Sequence, residues 1–109
     1  MTIPATKISI VAERFLLPQI ERVLAAEKVS GYSTFPGGGK GSHGVHPADA
    51  ASLVREFSIV KLEAVMLDRT AAERIAEALA THAFQSQSGI VWLESVEVVR
   101  AEKFGSEGG

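Results

Sequence analysis

The sequence predicts one α+β domain: a four-stranded antiparallel sheet with two helices on one side. Three observations predict it. A strand–helix–strand order occurs twice along the 109 residues, one strand segment alternates strictly, and both helical segments carry an apolar stripe that needs a sheet beneath it. Two such split units, in the order βαββαβ, make the ferredoxin-like arrangement. The whole chain, 1–109, reads as a single domain.

The elements follow in order. Residues 7–12 (KISIVA) are short and β-branched, as a first strand should be. Leu17, Ile20, Val23, Leu24 and Glu27 then fall at helical spacing, the first four on the apolar side. Pro18 suits the first turn, where its missing N–H costs nothing, and Gly31 is placed to release the chain from the helix. Residues 31–35 (GYSTF) read as a second strand. After it, PGGGKGSHGVHPADAAS holds five Gly and two Pro, which predicts a long mobile loop over about 36–55. Residues 56–67 (EFSIVKLEAVML) are the clearest strand. Val60, Leu62, Ala64 and Met66 share one face, while Phe57, Ile59, Lys61, Glu63 and Val65 share the other. The first face suits the helices; the second mixes apolar and charged groups, as a face partly covered by another subunit would. Thr70 and Glu73 form a capping box for a second helix, with Ala72, Ile75, Ala76, Leu79 and Ala83 as its stripe. The helix fades near His82 and Phe84. Residues 90–99 (IVWLESVEVV) are the last strand region, with a bend expected at Glu94 and Ser95, and 105–109 read as a flexible tail.

Composition removes several functions. There is no Cys, which excludes disulfides, thiolate chemistry and clusters held by this chain's own thiolates. The net charge is −2 with no Lys/Arg cluster, which argues against nucleic acid as a partner. No apolar run is long enough to span a bilayer, and the N-terminal residues lack a signal-peptide layout. A soluble cytoplasmic protein is the expectation.

The residues that could carry chemistry are few. FPGGGKGS offers glycine amides and a lysine that suit a phosphate, but GxxxxGK[ST] and GxGxxG are both absent, so a plain flexible connection explains it equally well. His43, His46 and Asp49 lie close in sequence; solvated loop side chains are favoured over a metal site, and no metal is expected. Glu13, Arg14 and the QSQSG segment sit at element ends, where ligand-facing groups collect. Arg100 and Lys103 either meet a phosphate or are ordinary surface cations. Trp92, between Val91 and Leu93, suits the core or a subunit contact better than a stacking platform. No serine has an evident His–Asp arrangement and no carboxylates pair recognisably, so no catalytic residue is assigned.

Taken together, GYSTFPGGGKGS, FSIVKLEAVM, DRTAAERIAEALA and SVEVVRAEKF resemble the PII signalling family over roughly residues 8–104. The likeness is nearest to its carbon-responsive branch, the PII-like proteins associated with bicarbonate transporters or carboxysomes. The resemblance implies a non-enzymatic homotrimer with adenine nucleotide in clefts between subunits and a partner-binding loop, here 36–55. It implies nucleotide contacts from Ser33, Gly37, Gly38, Gly39, Lys40, Met66, Arg100, Lys103 and Phe104. A small anion such as bicarbonate would lie against Gly39, Lys40 and Gly41.

Departures from the family pattern shape the expected ligand. The only Tyr, Tyr32, lies on a strand rather than in the loop, which removes uridylylation of the usual kind. GGGKGS lacks the Gln that supports magnesium-ATP and 2-oxoglutarate. The family's TGxxGxGK segment is replaced by ATHAFQSQSG, with no Lys, and Glu102 replaces a second Arg. ADP, AMP or a cyclic nucleotide is therefore expected over ATP. The expected signal is inorganic-carbon or energy status, passed to a partner such as a bicarbonate transporter or carboxysome component. The alternatives are a small ferredoxin-like enzyme and a structural trimer without a small ligand.

Overall fold

The computed structural model describes residues 1–38 and 58–99. Strand β1 runs Ile3–Glu13, helix α1 Leu17–Ala26, strand β2 Ser33–Gly37, strand β3 Ile59–Met66, helix α2 Arg69–Ala78 and strand β4 Gly89–Val98. A short 3₁₀ turn, Arg14–Leu16, leads into α1, and a π-helical turn, Leu79–Ala83, extends α2. The strands lie in the order β2-β3-β1-β4, all antiparallel. This is the expected ferredoxin-like sheet.

One face of the sheet packs under both helices. Ile8 and Ile10 of β1 and Val60, Leu62, Ala64 and Met66 of β3 are buried there. All of these but Val60 share one core with Ile20 and Leu24 of α1 and Ala72, Ile75 and Leu79 of α2. The apolar positions of each element fall at its own period, two in the strands and about three and a half in the helices, so each stripe faces the same layer. The alternate residues of β3 (Ile59, Lys61, Glu63 and Val65) lie half-buried on the opposite face. Both faces of this strand match the sequence reading; Phe57 lies outside the described residues.

Five local features differ from expectation. β1 begins at Ile3, because β4 pairs with it from Ile3↔Val98 to Ala12↔Gly89 and holds its early residues in the ladder. That pairing continues unbroken past Glu94 and Ser95, so β4 has no break in its register there. α2 is capped by Asp68, not Thr70: the Asp68 carboxylate accepts the N–H groups of Thr70 and Ala71 at 2.9 and 3.2 Å. β3 ends at Met66, so the helix starts one position before Thr70 could act as its cap. The exit from α1 is made by Lys28, not Gly31. Lys28 takes φ 63°, its N–H donates to the Ala25 carbonyl at 2.9 Å, and the Val29 N–H reaches Leu24 at 3.0 Å. That paired pattern closes the helix end, and Val29 packs on the core beside it. Finally, β2 spans Ser33–Gly37, so Pro36 and Gly37 pair with Val60 and Ile59 rather than opening the loop. Pro36 is tolerated because β2 is an edge strand. The remainder of the expected loop, beyond Gly38, and the tail lie outside the described residues.

Candidate functional site

Strand β2 carries two of the predicted binding positions, one at each end. Ser33 is exposed and sits opposite Glu63, on the face away from the helices. Gly37 closes the strand opposite Ile59, and Gly38 follows it, exposed. Four steps of extended chain lead from Ser33 to Gly37, about 13 Å. A Cβ added at Gly37 would meet nothing within 4 Å. The chain's own packing therefore does not require glycine there; the open space lies on the solvent side, where a ligand could approach the backbone.

Met66 ends β3 and is buried. It lies on the helix-covered face, opposite to Ser33, so the two side chains point away from each other at the same end of the sheet. Val65 is the apolar β3 residue on Ser33's own face, half-buried and two positions beyond Glu63. Alternation along 59–66 identifies it, once the register with β2 is known.

Met66 instead lines a cleft of about 240 Å³ with Glu27, Lys28 and Val29 from the end of α1 and Asp68, Ala71 and Arg74 from α2. A forked ion pair closes one wall. Arg74 Nε lies 3.2 and 3.1 Å from the two Glu27 oxygens, and Nη2 lies 2.9 Å from Oε1. The hydrogen bonds from Arg74 hold the Glu27 carboxyl below its ordinary range, and the same contact raises Arg74. The pair ties α1 to α2 across 47 residues of chain. Nearby, the Tyr32 hydroxyl donates to Glu21 at 2.7 Å, fixing the approach to β2; that bond raises the Tyr32 pKa. The spacing of Glu27 and Arg74 in sequence gives no sign of their pairing.

The segment between α2 and β4 is set by one aromatic contact. A Cβ at Gly89 would come within 2.4 Å of the Phe84 ring, so Phe84 packs over the glycine where β4 begins. The Phe84 N–H donates to Leu79 at 2.9 Å, closing the π-helical turn. Ser88 Oγ, in the loop so formed, is buried without a partner among the described residues.

The topology separates these groups into two sets. Ser33, Gly37 and Gly38 belong to β2, at one edge of the sheet. The loop before Gly89, and Val98 just ahead of Arg100, belong to β4, at the other edge. Three strand spacings, roughly 14 Å, lie between the edges. Of the remaining predicted residues, Gly39, Lys40, Gly41, Arg100, Lys103 and Phe104 lie outside the described residues, as do His43, His46 and Asp49. Among the described residues no three acidic, His or Cys side chains group as metal ligands. No described helix is long and apolar enough to cross a membrane.

What these elements define is a ferredoxin-like domain, with Ser33, Gly37 and Gly38 at one edge of its sheet and β4 at the other. The sequence model for nitrogen regulatory protein P-II matches residues 5–103, and the chain belongs to the P-II family of signalling proteins, which are not catalysts. Solved structures agree with the fold. A chain assigned as a PII-like signalling protein from Thermus thermophilus is 29% identical, with a TM-score of 0.74 and coverage of 94% of this chain and 97% of that one. CPII from Thiomonas intermedia, a nitrogen regulatory PII-like protein bound to ADP, AMP and bicarbonate, is 23% identical, with a TM-score of 0.78 over 95% and 96% of the two chains. The same protein bound to ADP and bicarbonate gives 23% and 0.75 over 95% and 97%.

Proposed function

We propose that this chain is a cytoplasmic, homotrimeric PII-like regulator that binds ADP or AMP, together with bicarbonate, in clefts between neighbouring subunits. One observation supports the cleft: Ser33, Gly37 and Gly38 lie at one edge of the sheet, where β2 has no strand on its outer side, and the other edge strand, β4, lies about 14 Å away. Bringing the β2 edge of one copy against the β4 edge of the next unites them. In that cleft the base lies near Ser33 and Val65, and the phosphates run toward Gly37 and Gly38. Gly39, Lys40, Arg100, Lys103 and Phe104 complete the nucleotide contacts, with bicarbonate against Gly39, Lys40 and Gly41. The family membership and the ADP, AMP and bicarbonate held by the Thiomonas relative support the ligand class.

The proposed signal is an order–disorder change in the part of the expected loop that follows β2, up to about residue 55, read by a protein partner such as a bicarbonate transporter or a carboxysome component. The ligand shifts that equilibrium only through a difference in affinity for its two forms. Loss of the family's lysine between α2 and β4, replaced here by QSQS, favours a nucleotide with fewer phosphates. Calorimetric titration with AMP, ADP, ATP and cyclic AMP, each with and without bicarbonate, tests the reading. Saturable ADP or AMP binding, near one site per chain and tightened by bicarbonate, is expected. Binding indifferent to bicarbonate removes the carbon signal, and no binding at all leaves only a structural assembly.

A further inference from the structure

Strand β2 has little side-chain packing to hold it. Ser33, Thr34, Phe35 and Pro36 are all exposed, and Gly37 is half-buried. The strand pairs with β3 on one side and forms the edge of the sheet on the other. Among the described residues, none of Ser33–Gly37 joins the hydrophobic core or packs against it. The residue just before the strand is the exception. Tyr32 is half-buried and packs on the core. Its hydroxyl donates to Glu21 Oε2 at 2.7 Å, back on α1. Glu21 follows Ile20, one of the two buried residues of that helix, so the acceptor stands on a firmly packed element.

The bond matters because of where it falls in the chain. Val29 is the preceding fixed point, packed on the core with its N–H on Leu24. Ser30 and Gly31, which follow, are exposed. Between Val29 and the β2–β3 ladder, Tyr32 is therefore the side-chain anchor. Ser33 is its neighbour, and the planar peptide between them leaves few dihedrals to absorb a movement of the ring. A phenyl ring packed on the core can still slide across it. A hydroxyl bonded to a carboxylate also sets the direction, and such charge-assisted bonds are among the stronger ones.

We infer that Tyr32 and Glu21 are positioning residues for the nucleotide: their hydrogen bond holds Ser33, at the start of β2, where the base is received. The inference rests on the site proposed above and adds to it two residues that act through Ser33. The bond lies wholly within one chain, so the fold itself orders this edge and the nucleotide has less of it to order on binding.

Calorimetric titration with ADP and AMP in bicarbonate tests it, with circular dichroism and thermal unfolding as the checks on folding. Tyr32→Phe keeps the packed ring, removes the hydroxyl and is expected to weaken binding roughly tenfold. Glu21→Leu is expected to have the same effect, and the two changes together no more than either alone, because both break one bond. Glu21→Gln still offers an oxygen to the hydroxyl and is expected to bind within about twofold of the wild type. Ile75→Val, in the core under the sheet, is expected to lower stability and leave affinity unchanged, which separates positioning from general loosening. Wild-type protein that binds neither nucleotide overturns the site itself and the inference with it. Equal affinity in the wild type and Tyr32→Phe overturns the positioning role and leaves the site standing. So does Glu21→Gln as weak as Glu21→Leu, or Ile75→Val as weak as Tyr32→Phe.

Discussion

The two faces of the sheet share the same strands and have opposite chemistry. Along β3, Val60, Leu62, Ala64 and Met66 are buried under helices, while Ile59, Lys61, Glu63 and Val65 between them are only half-buried. On β1 the contrast is sharper: Ile8 and Ile10 enter the core, and Ser9 between them is just as buried but sits beneath a ring of charges. Burial therefore has two origins in this molecule. On the helix side it comes from apolar area removed from water within the chain. On the other side it comes from charged side chains folded over a small polar one, an arrangement suited to further cover by another copy.

The contrast can be broken most sharply at Leu62. Leu62→Ala removes a side chain with no exposed surface and is expected to lower unfolding stability by about 2–5 kcal/mol in urea titration. A loss well below that range would mean the helix-covered face is not the main source of stability. Acid is the next probe, because it acts on the open face. Hydrogen bonding to Lys61, with the nearby Lys7, holds the Glu63 carboxyl below its ordinary value of 4.5. A lowered folded-state pKa contributes stability that is present above the ordinary value and lost as pH falls through the lower one. Thermal unfolding is thus expected to be flat from neutral pH to about pH 5 and to weaken below 4.5. A midpoint that rises on acidification would contradict the pairing. The smallest effect is expected at Ser9. Ser9→Ala deletes a buried hydroxyl without a partner and is expected to leave stability unchanged or raise it by up to about 1 kcal/mol. A clear loss would show that the hydroxyl is bonded in the assembled protein.

The layered architecture is legible in the sequence, because period-two and helical patterns are properties of single segments. Alternation over 59–66 correctly assigns both faces of β3. Local competition between similar signals is harder. Asp68 and Thr70 are both good caps, and only the end of β3 at Met66 decides between them. Gly31 is the residue best suited to a left-handed exit, yet the chain turns at Lys28, where Val29 can pack on the core. Pairing across strands is not legible at all. Lys7, Glu63 and Glu94 come together only through the register of three strands, and Glu27 meets Arg74 only through helix packing. The candidate site is partly legible for the same reason: Ser33 and Gly37 are named by their segment, whereas Val65 and the proposed division of the site between two edges require the fold.

Mixed assemblies test the proposed division of the site between neighbouring copies most directly. Gly37→Val is expected to keep the fold, since a Cβ there meets nothing, but to block approach to the backbone; Arg100→Ala is expected to remove the phosphate contact proposed to come from the neighbouring copy. Each variant alone is expected to lose ADP binding in calorimetry. Co-assembled in equal amounts, they are expected to recover about a quarter of the sites, the share of subunit junctions that carry both intact edges. A mixture that binds no more ADP than its parts would mean that each copy builds its site alone, contrary to the account.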